Sequence, residues 1–265
     1  MIPQEVLDWL VPYLDMVDED PKVEEYKAKL RALLQVHEGG RYLDIGPGLG
    51  HEVIRLANMV GKSGLVYGLE LEQQLIDIAG MRIREAGLSE RIKIFCSDAH
   101  KSMQFRFNEF DGAFADRMLQ HTEDPSTIIC NMIDYVKPGG MVVAAEANWQ
   151  TLTISGPATT GPGMLTSKLV QRFRTDFVPN TEIAADLKDV FEELGLEDVQ
   201  MYEFPRTFTR YEAAREMLLL DLQVTAAVGG GVITDPEAAL WKAHMAEAEE
   251  FNCSFTTYVV AGMVA

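Results

Sequence analysis

Between residues 41 and 145 short apolar runs alternate with stretches at helical spacing, and that alternation constrains the fold more than any other feature. Tyr42–Ile45, Leu65–Leu69, Arg91–Phe95, Phe110–Ala115 and Met141–Ala145 read as strands. Glu52–Met59, Gln73–Ala86 and Thr127–Val136 read as the helices among them, the last ended by Lys137-Pro138-Gly139-Gly140. Strands separated by such long connections pair in parallel, because a parallel neighbour needs a crossover rather than a tight turn. The uninterrupted run Met141-Val142-Val143-Ala144-Ala145 suits a sheet covered on both faces.

The flanks have a different texture. Trp9, Leu10 and Tyr13, then Val23, Tyr26, Leu30, Leu33 and Leu34, recur at helical spacing, punctuated by Pro12 and Pro21. After Glu146 the alternation breaks. Residues 151–180 hold Gly156-Pro157, Gly161-Pro162-Gly163 and a helix-like Leu165–Phe173. It resumes with a helix at Ile183–Leu194 and a strand at Val199–Phe204. Residues 211–250 are helical apart from Gly229-Gly230-Gly231, and Thr256–Val260 is the last strand. The expected organisation is a single domain over residues 1–265. The helices of 1–38 and the insertions at 151–180 and 211–250 lie outside the alternating core and are expected to form a substrate cap over one sheet edge.

Composition excludes several classes of function. With 47% hydrophobic and 24% charged residues over 265 positions, the chain is globular rather than disordered. Its 41 acidic and 23 basic residues give a net charge of −18, which repels phosphate backbones and anionic membranes. Nucleic acid is therefore not an expected partner. Cys96, Cys130 and Cys253 are far apart, without metal-ligand spacing, and read as reduced cytoplasmic thiols. No apolar run approaches the roughly 18 residues of a membrane span, and the start lacks the features of a signal peptide.

Asp44-Ile45-Gly46-Pro47-Gly48-Leu49-Gly50 sits between the first strand and the next helix. Glycines there let the backbone approach a ligand, and the helix N-terminus behind them favours negative charge. Dinucleotides and S-adenosylmethionine both use this geometry. A dinucleotide loop wants its third glycine at position 51, which is His51; the glycine falls instead at Gly50.

The Asp-x-Gly-x-Gly-x-Gly order resembles motif I of class I S-adenosylmethionine-dependent methyltransferases. Asp116-Arg117-Met118-Leu119-Gln120-His121 with Asp124-Pro125 is similar to the segment after strand four in ubiquinone/menaquinone-type and natural-product members. Lys137-Pro138-Gly139-Gly140 is a further landmark. The resemblance covers residues 40–150 well and extends weakly to the end. It implies an α/β fold: a Rossmann-like, seven-stranded, mostly parallel sheet with a helical cap. It implies S-adenosyl-L-methionine as cofactor, held by Asp44, Gly46, Gly48, Gly50, Glu70, Leu71, Asp98, Ala99 and Asp116. Glu70 would hold the ribose hydroxyls and Asp98 the adenine amino group. Pro47 departs from the small residue usual at that position.

His121 is the candidate general base, because histidine titrates near working pH; a packed or capping role is the competing reading. His37, His51, His100 and His244 are expected to be surface or structural residues. Tyr26 and Lys27 could reach the cofactor carboxylate, but helix-surface positions are expected for them. Met118, Asn148 and Trp149 are the candidate substrate contacts, with Trp149 equally suited to the core. Met118, Met164, Met217, Phe173 and Phe177 suit either an apolar pocket or ordinary core. The expected activity is methyl transfer to a small, largely hydrophobic organic acceptor, with a homodimer left open. The alternatives are a cyclisation or pericyclic reaction on the same fold and a cofactor-binding regulator.

Overall fold

The computed structural model describes residues 1–101, 105–156 and 162–265; Pro157 and Gly161 of the expected turns lie outside them. Two helices open the chain, α1 (Gln4–Asp18) and α2 (Pro21–Leu33). Asp20 caps α2 by accepting from Lys22 N at 2.8 Å, and Pro21 begins it, where a missing N–H costs nothing. Pro12 stands inside α1.

The alternating region follows as β1 (Arg41–Ile45), α3 (His51–Met59), β2 (Leu65–Glu70), α4 (Gln73–Glu85), β3 (Ile92–Cys96) and β4 (Phe110–Asp116). A 3₁₀ turn (Leu119–His121) leads to α5 (Pro125–Tyr135) and β5 (Val136–Ser155). The remainder is α6 (Pro162–Asp176), α7 (Ile183–Glu193), β6 (Glu197–Phe208), α8 (Tyr211–Met217), α9 (Leu220–Gly229), α10 (Asp235–Ala246) and β7 (Asn252–Met263).

The strands form one sheet in the order β3-β2-β1-β4-β5-β7-β6. β1 pairs in parallel with both β2 and β4, and β4 with β5. β7 runs antiparallel to β5: Gly140 O accepts from Val264 N at 2.9 Å, while Thr153 Oγ1 meets Ser254 Oγ at 2.8 Å. The sequential order of the strands, not their direction, reverses between β1 and β4. The crevice outside the carboxyl ends of those strands is where open α/β sheets bind ligands.

Three strands are longer than expected. β5 runs over Val136–Ser155 rather than 141–145. Beyond the apolar run it continues as Leu152, Thr153, Ile154, Ser155, alternately buried and exposed, which is the signature of a half-buried strand. The Lys137–Gly140 turn is an irregularity within β5 rather than a loop before it. Gly140 is required there, because a Cβ would lie 2.7 Å from Asp111 O.

Two compact units divide the chain. Unit one holds residues 1–146, 186–202 and 259–265; unit two holds 147–185 and 203–258. Unit two has its own core, built on Trp149, Phe173, Tyr211, Trp241, Phe251 and Phe255. Trp241 is fully buried, and its indole N–H donates to Thr166 Oγ1 at 2.9 Å. Phe173 is therefore core, Phe177 and Met217 pack against that core, and Met164 is 70% exposed.

Candidate active site

β1 ends at Ile45 and the backbone turns at once through Gly46, whose N–H donates to Leu69 O at 2.8 Å. Gly46 has φ +79°, and a Cβ there would lie 2.7 Å from Met118 Cγ. Gly48 has φ +53° and open space where its side chain would be, so bare backbone faces the crevice. Gly50 forms the N-cap of α3. The unusual Pro47 packs its ring on Gly68 of β2, where a Cβ would come within 2.8 Å of Pro47 Cγ. Leu49 is buried with Leu7 of α1 and Leu75 of α4.

Glu70, the last residue of β2, bends its carboxylate back over this loop. It accepts from Gly48 N at 3.0 Å, Leu71 N at 2.8 Å and Glu72 N at 3.1 Å. A carboxylate has about four acceptor positions, so a direction remains for a ligand hydroxyl. Leu71 beside it is 63% exposed. Asp98, beyond β3, accepts from His100 N at 3.0 Å and pairs with His100 Nδ1 at 2.8 Å. These bonds hold its carboxyl below the usual range. His100 Nε2 continues to Thr122 Oγ1 at 2.7 Å, and Ala99 O accepts from Asn131 Nδ2 at 2.8 Å. The segment after β3 is thus fastened to the segment leading into α5 and to α5 itself.

The helices α1 and α2 enter the same place. Tyr26 and Lys27 are buried rather than on a helix surface, which corrects the expectation for both. Tyr26 OH donates to Asp116 Oδ1 at 3.0 Å, and Lys27 Nζ lies 3.4 Å from Asp116 Oδ2 and 3.0 Å from Asp18 Oδ1. Arg55 closes a fork on Asp18, at 2.8 and 2.5 Å. Burial alone would raise the Asp18 carboxyl, but Arg55 and Lys27 outweigh it and hold that carboxyl well below the usual range. Arg31 of α2 spans Glu52 of α3, at 2.9 and 3.2 Å, and Glu24. His51 joins Asp15 and Arg82, a structural role. Asp44 is buried at the end of β1; burial first, then the Glu52 and Asp116 carboxylates, push its carboxyl well above the usual range.

The turn after β4 carries the remaining candidates. Arg117 adopts φ +54° and donates its N–H to Ala145 O at 2.7 Å. Met118 lies against Gly46, and His121 follows in the 3₁₀ turn, its N–H on Met118 O at 2.9 Å. His121 is exposed in this turn, and partial burial by the surrounding protein, then the Arg117 guanidinium, hold the imidazole below the ordinary histidine value. Glu146, fully buried after the apolar run of β5, anchors the turn: its Oε1 accepts from Leu119 N at 2.6 Å. Burial foremost, with Asp116 adding repulsion, pushes its carboxyl up to about 8. Sequence reasoning passed over Glu146 as a functional residue, although an ionisable side chain directly after Val142-Val143-Ala144-Ala145 was a signal for a buried charge.

Asp44, the glycine loop, Glu70, Asp98, Ala99, Asp116, Met118 and His121 all belong to unit one. Asn148 and Trp149 belong to unit two, where Trp149 stacks on Phe255 with ring centroids 5.5 Å apart and Asn148 Oδ1 accepts from Gln150 N at 3.0 Å. Among the described residues, no group of three or more His, Cys, Asp or Glu side chains is placed to hold a metal. Among them, too, no helix is long and apolar enough to cross a membrane.

Residues 43–144 match the family described as a methyltransferase domain. A Streptomyces fradiae protein, described as an uncharacterized 37.1 kDa protein in transposon TN4556, is 28% identical over 94% of this chain and 70% of its own length. The demethylmenaquinone methyltransferase of Geobacillus sp. (strain WCH70) is 32% identical over 119 residues, 45% of this chain. The match spans 50% of that enzyme's length. Among solved structures, the [4+2]-cyclase SpnF superposes with a TM-score of 0.59 at 19% identity, over 98% of this chain and 94% of that one. The two share a fold.

Proposed function

From the match of residues 43–144 to a methyltransferase domain, we propose that the chain is a class I S-adenosylmethionine-dependent methyltransferase that methylates a small, largely hydrophobic organic acceptor. The observation that carries this reading is the pairing of open backbone at Gly48 with the Glu70 carboxylate held over it. The residues present fit an adenosyl group. Glu70 retains an acceptor position for the ribose hydroxyls, and Asp98, partly exposed, takes the adenine amino group. Lys27 and Tyr26 close the methionine end over Asp116. Bound there, S-adenosylmethionine supplies a sulfonium-activated methyl group, so the protein's task is positioning and exclusion of water.

His121 takes the acceptor's proton. Its lowered basicity keeps the ring neutral, and so able to accept, at a pH where an ordinary histidine is already charged. Supporting this, the turn that carries it is pinned through Leu119 to Glu146. Met118 lines the acceptor's path beside Gly46.

Because a fold does not dictate a reaction, the test follows the methyl group itself. The chain is incubated with methyl-labelled cofactor and a panel of small phenols, amines and acids. Label in the product is expected; a product that forms without label would favour a cyclisation and overturn methyl transfer. His121→Ala should lower turnover by about 100-fold, with S-adenosylhomocysteine affinity unchanged. Unchanged turnover at saturating acceptor would remove the base assignment.

A further inference from the structure

We propose that Arg117 is an anion-binding residue of this site, offering its guanidinium fork to a carboxylate carried by a ligand; the inference rests on the methyltransferase reading. Four observations converge on it. First, Arg117 occupies the left-handed region at φ +54°, which residues bearing a Cβ adopt uncommonly. The strain of that conformation persists only where the surroundings impose it, and it concentrates at functional positions. Second, its Nε is buried and makes no hydrogen bond; the nearest carboxylate oxygen, Asp116 Oδ1, lies 3.5 Å away. Third, no described residue accepts a hydrogen bond from the outer guanidinium nitrogens, and the side chain keeps 27% of its surface open.

Fourth, the neighbouring carboxyl groups make their hydrogen bonds to other groups, and Glu146 Oε2 makes none. Asp116 serves Tyr26 and Lys27, and Glu146 Oε1 serves Leu119 N. Lys27, the other cation paired with Asp116, is surrounded by Asp18, Asp116 and Glu52 within 4.0 Å and is almost wholly buried. Of the two, Arg117 is the one with donors to spare. A planar fork meets the two oxygens of a carboxylate in a way that a lysine ammonium does not.

That carboxylate can come from the amino-acid end of the cofactor or from the acceptor, and two arms of one experiment separate the sources. In the first, calorimetry measures S-adenosylhomocysteine and 5′-methylthioadenosine, which lacks the carboxylate, against wild type, Arg117→Met and Arg117→Lys. In the second, benzoate and its neutral analogue benzamide are titrated into the protein loaded with S-adenosylhomocysteine. A cofactor source predicts that Arg117→Met weakens S-adenosylhomocysteine by roughly tenfold or more while methylthioadenosine is unaffected. An acceptor source predicts the same loss for benzoate alone. Arg117→Lys should recover part of either loss. If Arg117→Met changes none of these affinities, the proposal falls. Should that variant fail to fold, Arg117→Gly, which relieves the backbone strain, carries the same comparison. A wild-type chain that binds neither adenosyl compound would instead overturn the methyltransferase reading.

Discussion

Unit one buries Asp18, Lys27, Asp44, Glu52, Glu70 and Glu146, whereas among the described residues of unit two the buried polar groups are Asn148, Thr166, Thr181, Gln223 and Thr257, all uncharged. An ion taken out of water costs several kcal/mol unless partners compensate it, so a fold gathers such groups where chemistry needs them. In unit one they collect at the carboxyl ends of β1, β2 and the apolar run of β5, and on the helices α1, α2 and α3. Both units pack aromatic rings, Tyr67 on Phe110 at 5.3 Å in unit one and, in unit two, Trp149 on Phe177 at 4.6 Å and Tyr211 on Trp241 at 6.0 Å between centroids. Both regions bury apolar side chains, but among the described residues unit one alone also buries Asp, Glu and Lys side chains.

The largest effect that separates them is a truncation in unit two. Trp241→Ala removes a fully buried indole and its hydrogen bond to Thr166 Oγ1. We expect a loss of about 3–5 kcal/mol in denaturant unfolding, with S-adenosylhomocysteine affinity of the folded protein unchanged. A loss below about 1 kcal/mol would mean that this core is not close-packed, and the contrast would fail on its apolar side.

On the charged side the sharper probe is Glu146→Gln. With an ordinary value near 4.3 when unfolded and about 8 when folded, the native carboxyl holds a proton that the unfolded chain has released. Unfolding between these values releases that proton, so wild-type stability falls as pH rises through the window. Glutamine cannot ionise and keeps an acceptor for Leu119 N. Its stability advantage over wild type should widen by about 2 kcal/mol from pH 5 to pH 7, measured by thermal unfolding at each pH. Parallel pH profiles for the two proteins would show that Glu146 titrates as an exposed acid.

The same contrast governs how much could be read from the residues alone. β1, β2 and β4 are covered on both faces, so they appear as mostly apolar runs, and their expected ends fall within a residue of those found. The acids Asp44, Glu70, Asp98 and Asp116 were visible because each stands at or just beyond the end of a strand, a local property. The extension of β5 was hidden because Gln150-Thr151 interrupts the run before the period changes to two. Tyr26 and Lys27 were misjudged for another reason. A lysine on a helix reads as polar surface, and its burial depends on Asp116, some ninety residues on, which only the folded chain brings near.

The smallest expected effect asks whether a buried charge in unit one serves binding or folding. Glu70 accepts three backbone N–H groups, so it could simply brace the glycine loop. Bracing and ligand binding make different predictions for nucleosides that differ in hydroxyl groups. If Glu70 holds the ribose, wild type binds adenosine more tightly than 2′,3′-dideoxyadenosine, and Glu70→Ala erases the difference by weakening adenosine roughly tenfold. If Glu70 only braces the loop, both nucleosides weaken together and their ratio is preserved. Calorimetry on the two ligands reads that ratio directly. A preserved ratio would assign Glu70 to folding, leaving the hydroxyls to some other group at the end of β2.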